Sequence, residues 1–497
     1  MSTVLTRPSV ESDAAARCRQ INERLPERSL YSDAKRPLHP DSRASWRLSP
    51  EPFWLSPVAA TYLEVLGQDL LAFYRAINTL YVMSVRGTAP SWIAEYYDLG
   101  RPQQLVDYGR LNRQKRSLPG VIRPDLFMTE DGFIATELDS VPGGIGFGAS
   151  LARAYGELGY DLLGGPDGMV EGFSNMLASA AGRAKPAAGL VVSEESGDYW
   201  EEMVWLADAL RARGQSVHAT RPEDVRFTEG GLLVPDGGSP GPREERALDA
   251  DASYVPIDVL YRFFELFDIK NIAKWELFLY SMKKQRVALT PPVKTYLEEK
   301  LSFALLHHPA LAPLWRQELK DAFERLKRVI PNTWVLDPRP LPPHATVPDL
   351  ELAGKPVQDW MQLIGLTQKE RQLVIKPSGF DPTAWGSRGV KIGHDLPEDE
   401  WAAAVHEGLE RFDIVRYVLQ RFHSARRVSV EWYDFDTGEV RRMPGRARLT
   451  PYYFVVDDQA RLGGVTATVV PIDKKLIHGM VDAVIVPCAV RTPTASE

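Results

Sequence analysis

The sequence predicts a mixed α/β (α+β) protein of more than one unit, and three stretches carry that expectation. Apolar residues recur at helical spacing between Ala59 and Val85, a strand–helix–strand pattern of about thirty residues runs from Gly189 to Val217, and the texture after Arg371 is strand-rich. At roughly 150 residues per domain, the 497 residues leave room for about three domains. More than one core can form, and a site can lie between cores. Hydrophobic residues make up 44% and charged residues 25% of the chain. Those are the proportions of a globular protein rather than a disordered, collagenous or membrane-embedded one.

Lys and Arg number 59 against 66 Asp and Glu, a net charge of −7. No overall electrostatic attraction therefore draws the chain to nucleic acid or anionic lipid, and only a local basic cleft stays open. Cys18 and Cys488 are the two cysteines, which excludes a disulfide framework or a Cys-rich metal module and fits a reducing cytoplasm. Met1 to Asn22 has no continuous apolar run, and no stretch reaches the roughly 18 apolar residues that span a bilayer. The expectation is a cytoplasmic protein with neither a membrane nor a nucleic acid partner.

Taken in order, residues 1–50 are polar and proline-interrupted, a leader that either wraps the fold or stays mobile. Tyr62, Leu63, Leu66, Leu70, Phe73, Ile77 and Leu80 then mark the buried face of a long helix. From Gly120 to Ser140 two extended runs flank Glu130-Asp131-Gly132, the pattern of a β-hairpin. Gly189 to Ser193 reads as a buried strand, followed by an amphipathic helix to Leu210 and a second strand near Val217. Residues 221–250 hold seven acids, five glycines and four prolines, a surface excursion or short hairpin. Leu319, Phe323, Leu326 and Ile330 predict a helix that stops at Pro331, and six prolines in residues 331–350 predict a connection or linker. Strands follow at 373–376, 417–420, 428–433 and 448–456, with Asp436-Thr437-Gly438 at a hairpin turn.

Three constellations stand out chemically. Arg123-x-Asp125 lies on one arm of the hairpin and Glu137-x-Asp139 on the other, and residues two apart on a strand share a face. Three carboxylates and an arginine can thus converge, either as a solvated face with ordinary ion pairs or as a site for Mg²⁺, which takes carboxylate oxygens together with substrate phosphates. The second is Lys376 at the end of an apolar strand, then a loop through Gly386, Ser387, Arg388 and Gly389. An ammonium and loop amides can surround phosphates there, although no Walker A pattern is present and a plain hairpin loop is the alternative. The third is the strand ending in Gln420-Arg421-Phe422, which is either a core strand or the edge against which an adenine lies.

Together these motifs resemble the circularly permuted ATP-grasp ligases, and most closely the glutathionylspermidine synthase-like branch. In that family an Arg-x-Asp is followed, twelve residues after the Asp, by a Glu-x-Asn pair that binds Mg²⁺-nucleotide. Asp125 and Glu137 are also twelve residues apart. Asp139 stands where the family has Asn, keeping an oxygen ligand and adding a charge. The resemblance runs from about residue 50 to 490. It implies a permuted ATP-grasp fold with metal-binding hairpin in 51–180, a Rossmann-like pre-ATP-grasp domain in 181–290 and a nucleotide-binding region in 291–490.

By the same resemblance, Asp125, Glu137 and Asp139 are metal ligands. Lys300, Lys376, Gly386, Ser387, Arg388, Gly389 and Gln420 bind nucleotide, and Arg123 and Arg448 are catalytic. The implied cofactors are ATP and Mg²⁺, and the implied reaction is ligation of a small-molecule or peptide carboxylate to an amine through an acyl-phosphate. A phosphotransferase, or a nucleotide-binding protein without ligase activity, would use the same residues. Ser193-Glu194-Glu195, at the C-terminal end of a parallel strand, is a possible substrate contact. His307 and His308 lack metal-ligand spacing and read as packing or surface residues. The sequence leaves the oligomeric state open.

Overall fold

The computed structural model describes residues 10–28, 30, 39–241, 252–342, 344–352, 354–384, 386, 388–474, 477 and 482–491. Three sheets organise the chain. The largest has seven strands, in the order Phe53–Leu55, Val484–Val490, Gln459–Pro471, Glu439–Val456, Val121–Thr129 and Gly132–Asp139, with Arg427–Asp434 also pairing with Glu439–Val456. N-terminal and C-terminal segments therefore share one sheet and one hydrophobic core. The described part of the first fifty residues lies against it. Cys18, Ile21, Trp46 and Leu48 are buried, so this segment wraps the fold.

The helix Pro57–Val85 begins at Ser56, whose side chain accepts the Ala59 N–H, with proline in the first turn. Its periodic residues Leu63, Leu66, Leu70, Phe73, Ile77 and Leu80 are all buried, whereas Tyr62 is 36% exposed and stacks on Phe133 of the hairpin at 5.3 Å. One helical face thus covers the large sheet, and cutting any of these leucines to Ala would cost about 2–5 kcal/mol.

The second sheet is all parallel, in the order Ala288–Thr290, Val259–Phe263, Ala188–Val192 and Val217–Thr220. The helix Trp200–Arg211 makes the crossover between Ala188–Val192 and Val217–Thr220, as the sequence pattern requires. Residues 226–235 form a small hairpin beside it; residues 242–251 lie outside the described set. The third sheet is antiparallel, in the order Thr333–Val335, Tyr417–Arg421, Leu373–Pro377 and Lys391–Ile392.

Two expectations change. The helix expected across 319–330 is two helices, Ala312–Leu319 and Ala322–Val329, because Lys320 takes φ +51° and ψ −128° and breaks the run. The proline-rich stretch after Pro331 is more than a linker. Thr333–Val335 pairs with Tyr417–Arg421, and Trp334, Leu336, Val347 and Leu350 are buried. Among the described residues, no helix is long and apolar enough to cross a membrane.

Candidate active site

The hairpin sets the geometry. Its register pairs Arg123 with Asp139 and Asp125 with Glu137, so all four side chains leave the same face. The next pair is Leu126 with Ala135, which leaves Thr136 as an extra residue in a β-bulge. Arg123 bridges Asp125 (3.3 Å) and Asp139 (3.1 Å). Arg448, in the neighbouring strand, lies opposite Phe127 and reaches diagonally to Asp125 at 2.9 Å. Lys300, just before the helix Leu301–His307, pairs with Glu137 at 2.6 Å and donates to the Ala384 carbonyl at 2.8 Å.

Lys376 enters from the third sheet. Its register partner is Val418, so Gln420 is its diagonal neighbour on the same face. The buried ammonium donates to Gln420 Oε1 at 2.9 Å and to the Thr136 carbonyl at 3.0 Å, an acceptor that the bulge turns out of the ladder. Burial pushes the Lys376 pKa down to about 8; Glu137 opposes this fall and Lys300 adds to it. Burial also works against the Lys300 charge, but Glu137, Asp139 and Glu265 outweigh it and hold its pKa above the usual lysine value.

Two cavities meet at this cluster, and Asp125, Glu137 and Arg448 line both. The larger, of about 340 Å³, runs along the third sheet past Lys376, Gln420, Phe422 and Ile392. Its size and mixed lining suit a small-molecule ligand. The smaller, of about 170 Å³, faces the C-terminal ends of the parallel strands and is lined by Arg123, Asp139, Glu195, Tyr199, Glu202 and Glu265. Arg448 Nε in the shared wall is buried without a hydrogen-bond partner among the described residues, a donor aimed where an anion could be received.

The four-residue cluster carries more acid than base. Burial pushes the Asp139 carboxyl above its usual range, Arg123 pulls against this and Glu137 adds to it. Glu265 is pushed up by burial and by Glu298 and Asp139. Among the described residues no group of three His, Cys, Asp or Glu side chains is arranged as a metal cage; Asp125, Glu137 and Asp139 each pair with a cationic side chain. Their chemistry still fits a hard divalent cation, which takes part of its oxygen shell from phosphates and water.

The loop residues are distributed differently from the expectation. Gly386 lines the smaller cavity, and Arg388 pairs with Glu195 at 3.1 Å, across from the parallel sheet. Neither lines the larger cavity. Gly389 packs at the root of the Lys376 strand, where a Cβ would stand 2.7 Å from Pro377 Cγ and 2.8 Å from the Thr383 carbonyl. Ser387 lies outside the described residues.

Sequence reasoning missed Glu265 and Glu202. Glu265 follows the parallel strand Val259–Phe263, so the rule that singled out Glu195 could have found it. Glu202 is buried and caps the helix Ile145–Gly156, accepting the Gly144 N–H at 2.7 Å and the Phe147 N–H at 3.3 Å. Burial raises its pKa to about 7 against those hydrogen bonds and Arg123. Gly144 has φ +91°, and a Cβ there would meet Tyr452 Oη at 2.3 Å.

No protein-family model matches this chain, and no curated protein matches it. Among solved structures it is similar to a glutathione synthetase-like effector from Globodera pallida in its apo form, at 10% identity and a TM-score of 0.55, over 96% of both chains. It is also similar to a putative gamma-glutamylcysteine synthetase from Methylobacillus flagellatus KT, at 12% identity and a TM-score of 0.39, over 82% of this chain and 90% of that one. The first likeness is one of fold over nearly the whole chain.

Proposed function

We propose that this protein is an ATP-dependent carboxylate–amine ligase, built on a circularly permuted ATP-grasp fold with a Rossmann-like domain at 181–290 and related to the glutathionylspermidine synthase-like enzymes. The observation that carries this reading is the shared wall of Asp125, Glu137 and Arg448 between a nucleotide-sized cavity and a second cavity at the parallel sheet. A likeness in fold to a protein whose own name reads glutathione synthetase-like supports it.

ATP lies in the larger cavity with its base along the Gln420 strand and its phosphates toward Lys376, Lys300 and Arg448. A substrate carboxylate in the smaller cavity attacks the γ-phosphorus; ADP leaves and an acyl-phosphate remains. A neutral amine then attacks the acyl carbon, phosphate departs, and the nitrogen gives up its extra proton to yield the amide. Arg448 and Arg123 offset the negative charge that develops at the wall, and the fixed cations need no reorganisation as it does. Asp125, Glu137 and Asp139 are the residues that would hold Mg²⁺, which supplies charge neutralisation to the nucleotide phosphates. Arg388, paired with Glu195, anchors the loop beside Gly386 at the smaller cavity and helps to exclude water from the acyl-phosphate.

The test is incubation of the protein with MgATP and pooled carboxylate and amine metabolites, followed by mass spectrometry. An ATP-dependent amide product with matching ADP release supports ligation. A phosphorylated product with no amide would show a phosphotransferase, and no ATP consumption would refute both.

A further inference from the structure

Lys300 and Lys376 come from distant segments of the chain, yet their ammonium groups reach adjacent residues of one strand, Glu137 at 2.6 Å and the Thr136 carbonyl at 3.0 Å. Directly behind them a buried knot ties the two segments together. The Ser378 hydroxyl donates to Glu299 Oε2 at 2.5 Å and accepts the Leu301 N–H at 2.8 Å. The Lys300 N–H donates to the Ser378 carbonyl, and the Ser378 N–H to the Arg416 carbonyl, each at 2.8 Å. Glu299 Oε1 holds Arg101, and these two side chains are 1% and 0% exposed. Arg416 is also fully buried, its guanidinium without a hydrogen-bond partner among the described residues.

Two buried guanidinium groups against one carboxylate are a costly way to join two segments. Apolar side chains of similar volume would hold them at less expense of solvation. What the polar knot supplies is direction: four hydrogen bonds and an ion pair fix the offset between the residue before Lys300 and the residue two beyond Lys376. We propose that Glu299, Ser378 and Arg101 are positioning residues for the nucleotide. They set the spacing of the two lysine ammonium groups, and so the grip on the β- and γ-phosphates, without touching the nucleotide themselves. This inference rests on the nucleotide reading above.

The experiment is calorimetric titration of the full chain with MgATP and, separately, with AMP. Ser378→Ala removes both side-chain bonds of the knot. MgATP affinity is expected to fall about tenfold, with AMP affinity unchanged because AMP lacks the phosphates the lysines hold. Leu279→Ala, buried on the helix Trp275–Lys283, is a stability control and should leave MgATP affinity at the wild-type value. If Ser378→Ala does not fold, Arg101→Lys, which keeps the buried charge but loses the guanidinium fork, carries the same expectation. Equal losses for MgATP and AMP, unchanged MgATP affinity in the variant, or an equal loss in Leu279→Ala would overturn the positioning role. Wild-type protein that binds no MgATP would overturn the nucleotide reading itself.

Discussion

Lys376 should make nucleotide affinity depend on proton uptake. Its pKa is about 8 in the free protein against an ordinary 10.5, because burial penalises the charge; the difference corresponds to roughly 3 kcal/mol. A triphosphate beside the ammonium offsets that penalty and returns the pKa to about 10 or above. At pH 8 about half of the free protein must therefore gain a proton on binding, an uptake of about 0.5 proton. Above pH 8 the affinity should fall about tenfold per unit, and below pH 7 it should be flat. The same shift sets a stability trend. The folded pKa lies below the unfolded one, so the unliganded protein bears the cost of a buried charge below pH 8, and the cost fades as pH rises toward 10. Calorimetry in buffers of different ionisation heat measures the uptake directly, with Lys376→Met as the reference. Equal proton uptake in both proteins, or an affinity independent of pH between 7 and 9.5, would refute the reasoning.

Two further outcomes follow from single contacts. Glu137→Gln removes the partner of Lys300 and one proposed metal ligand, and should lower turnover at least about 100-fold; because Glu137 is one-third exposed, at 33%, thermal melting should shift by only a few degrees. Glu202 has a folded pKa of about 7, above the usual 4.5, so it contributes stability that is complete at low pH and is lost as pH rises from about 4.5 to about 7. Glu202→Gln should flatten that part of the melting profile, worth roughly 3 kcal/mol; an unchanged profile would show that Glu202 does not cause it.

Local patterns were readable in the sequence where one face of an element is buried. The 57–85 helix, the 121–139 hairpin and the 188–220 strand–helix–strand unit follow directly from apolar spacing and turn residues. The turn sets the hairpin register only as far as Leu126 opposite Ala135; continued without a bulge it would pair Asp125 with Thr136 and turn Glu137 and Asp139 to the other face. The Thr136 bulge could not be read, because a bulge depends on strand pairing rather than on composition. The break at Lys320 was hidden by apolar residues that keep helical spacing across it. Prolines after 331 obscured a strand whose pairing partner lies some 85 residues later. Loop residues reveal little about which wall they cover, and the Arg388 partner Glu195 comes from beside another sheet. Glu299 and Ser378 carry no local signature, since their role exists only once the two lysine segments meet.

The central claim is that the wall of Asp125, Glu137 and Arg448 joins a nucleotide to a carboxylate. Once a carboxylate substrate has been identified from the metabolite pools, label it with ¹⁸O and follow the oxygen. An acyl-phosphate ligase transfers one labelled oxygen to inorganic phosphate and leaves ADP. Release of AMP and pyrophosphate, or phosphate free of label alongside the amide, would contradict the account.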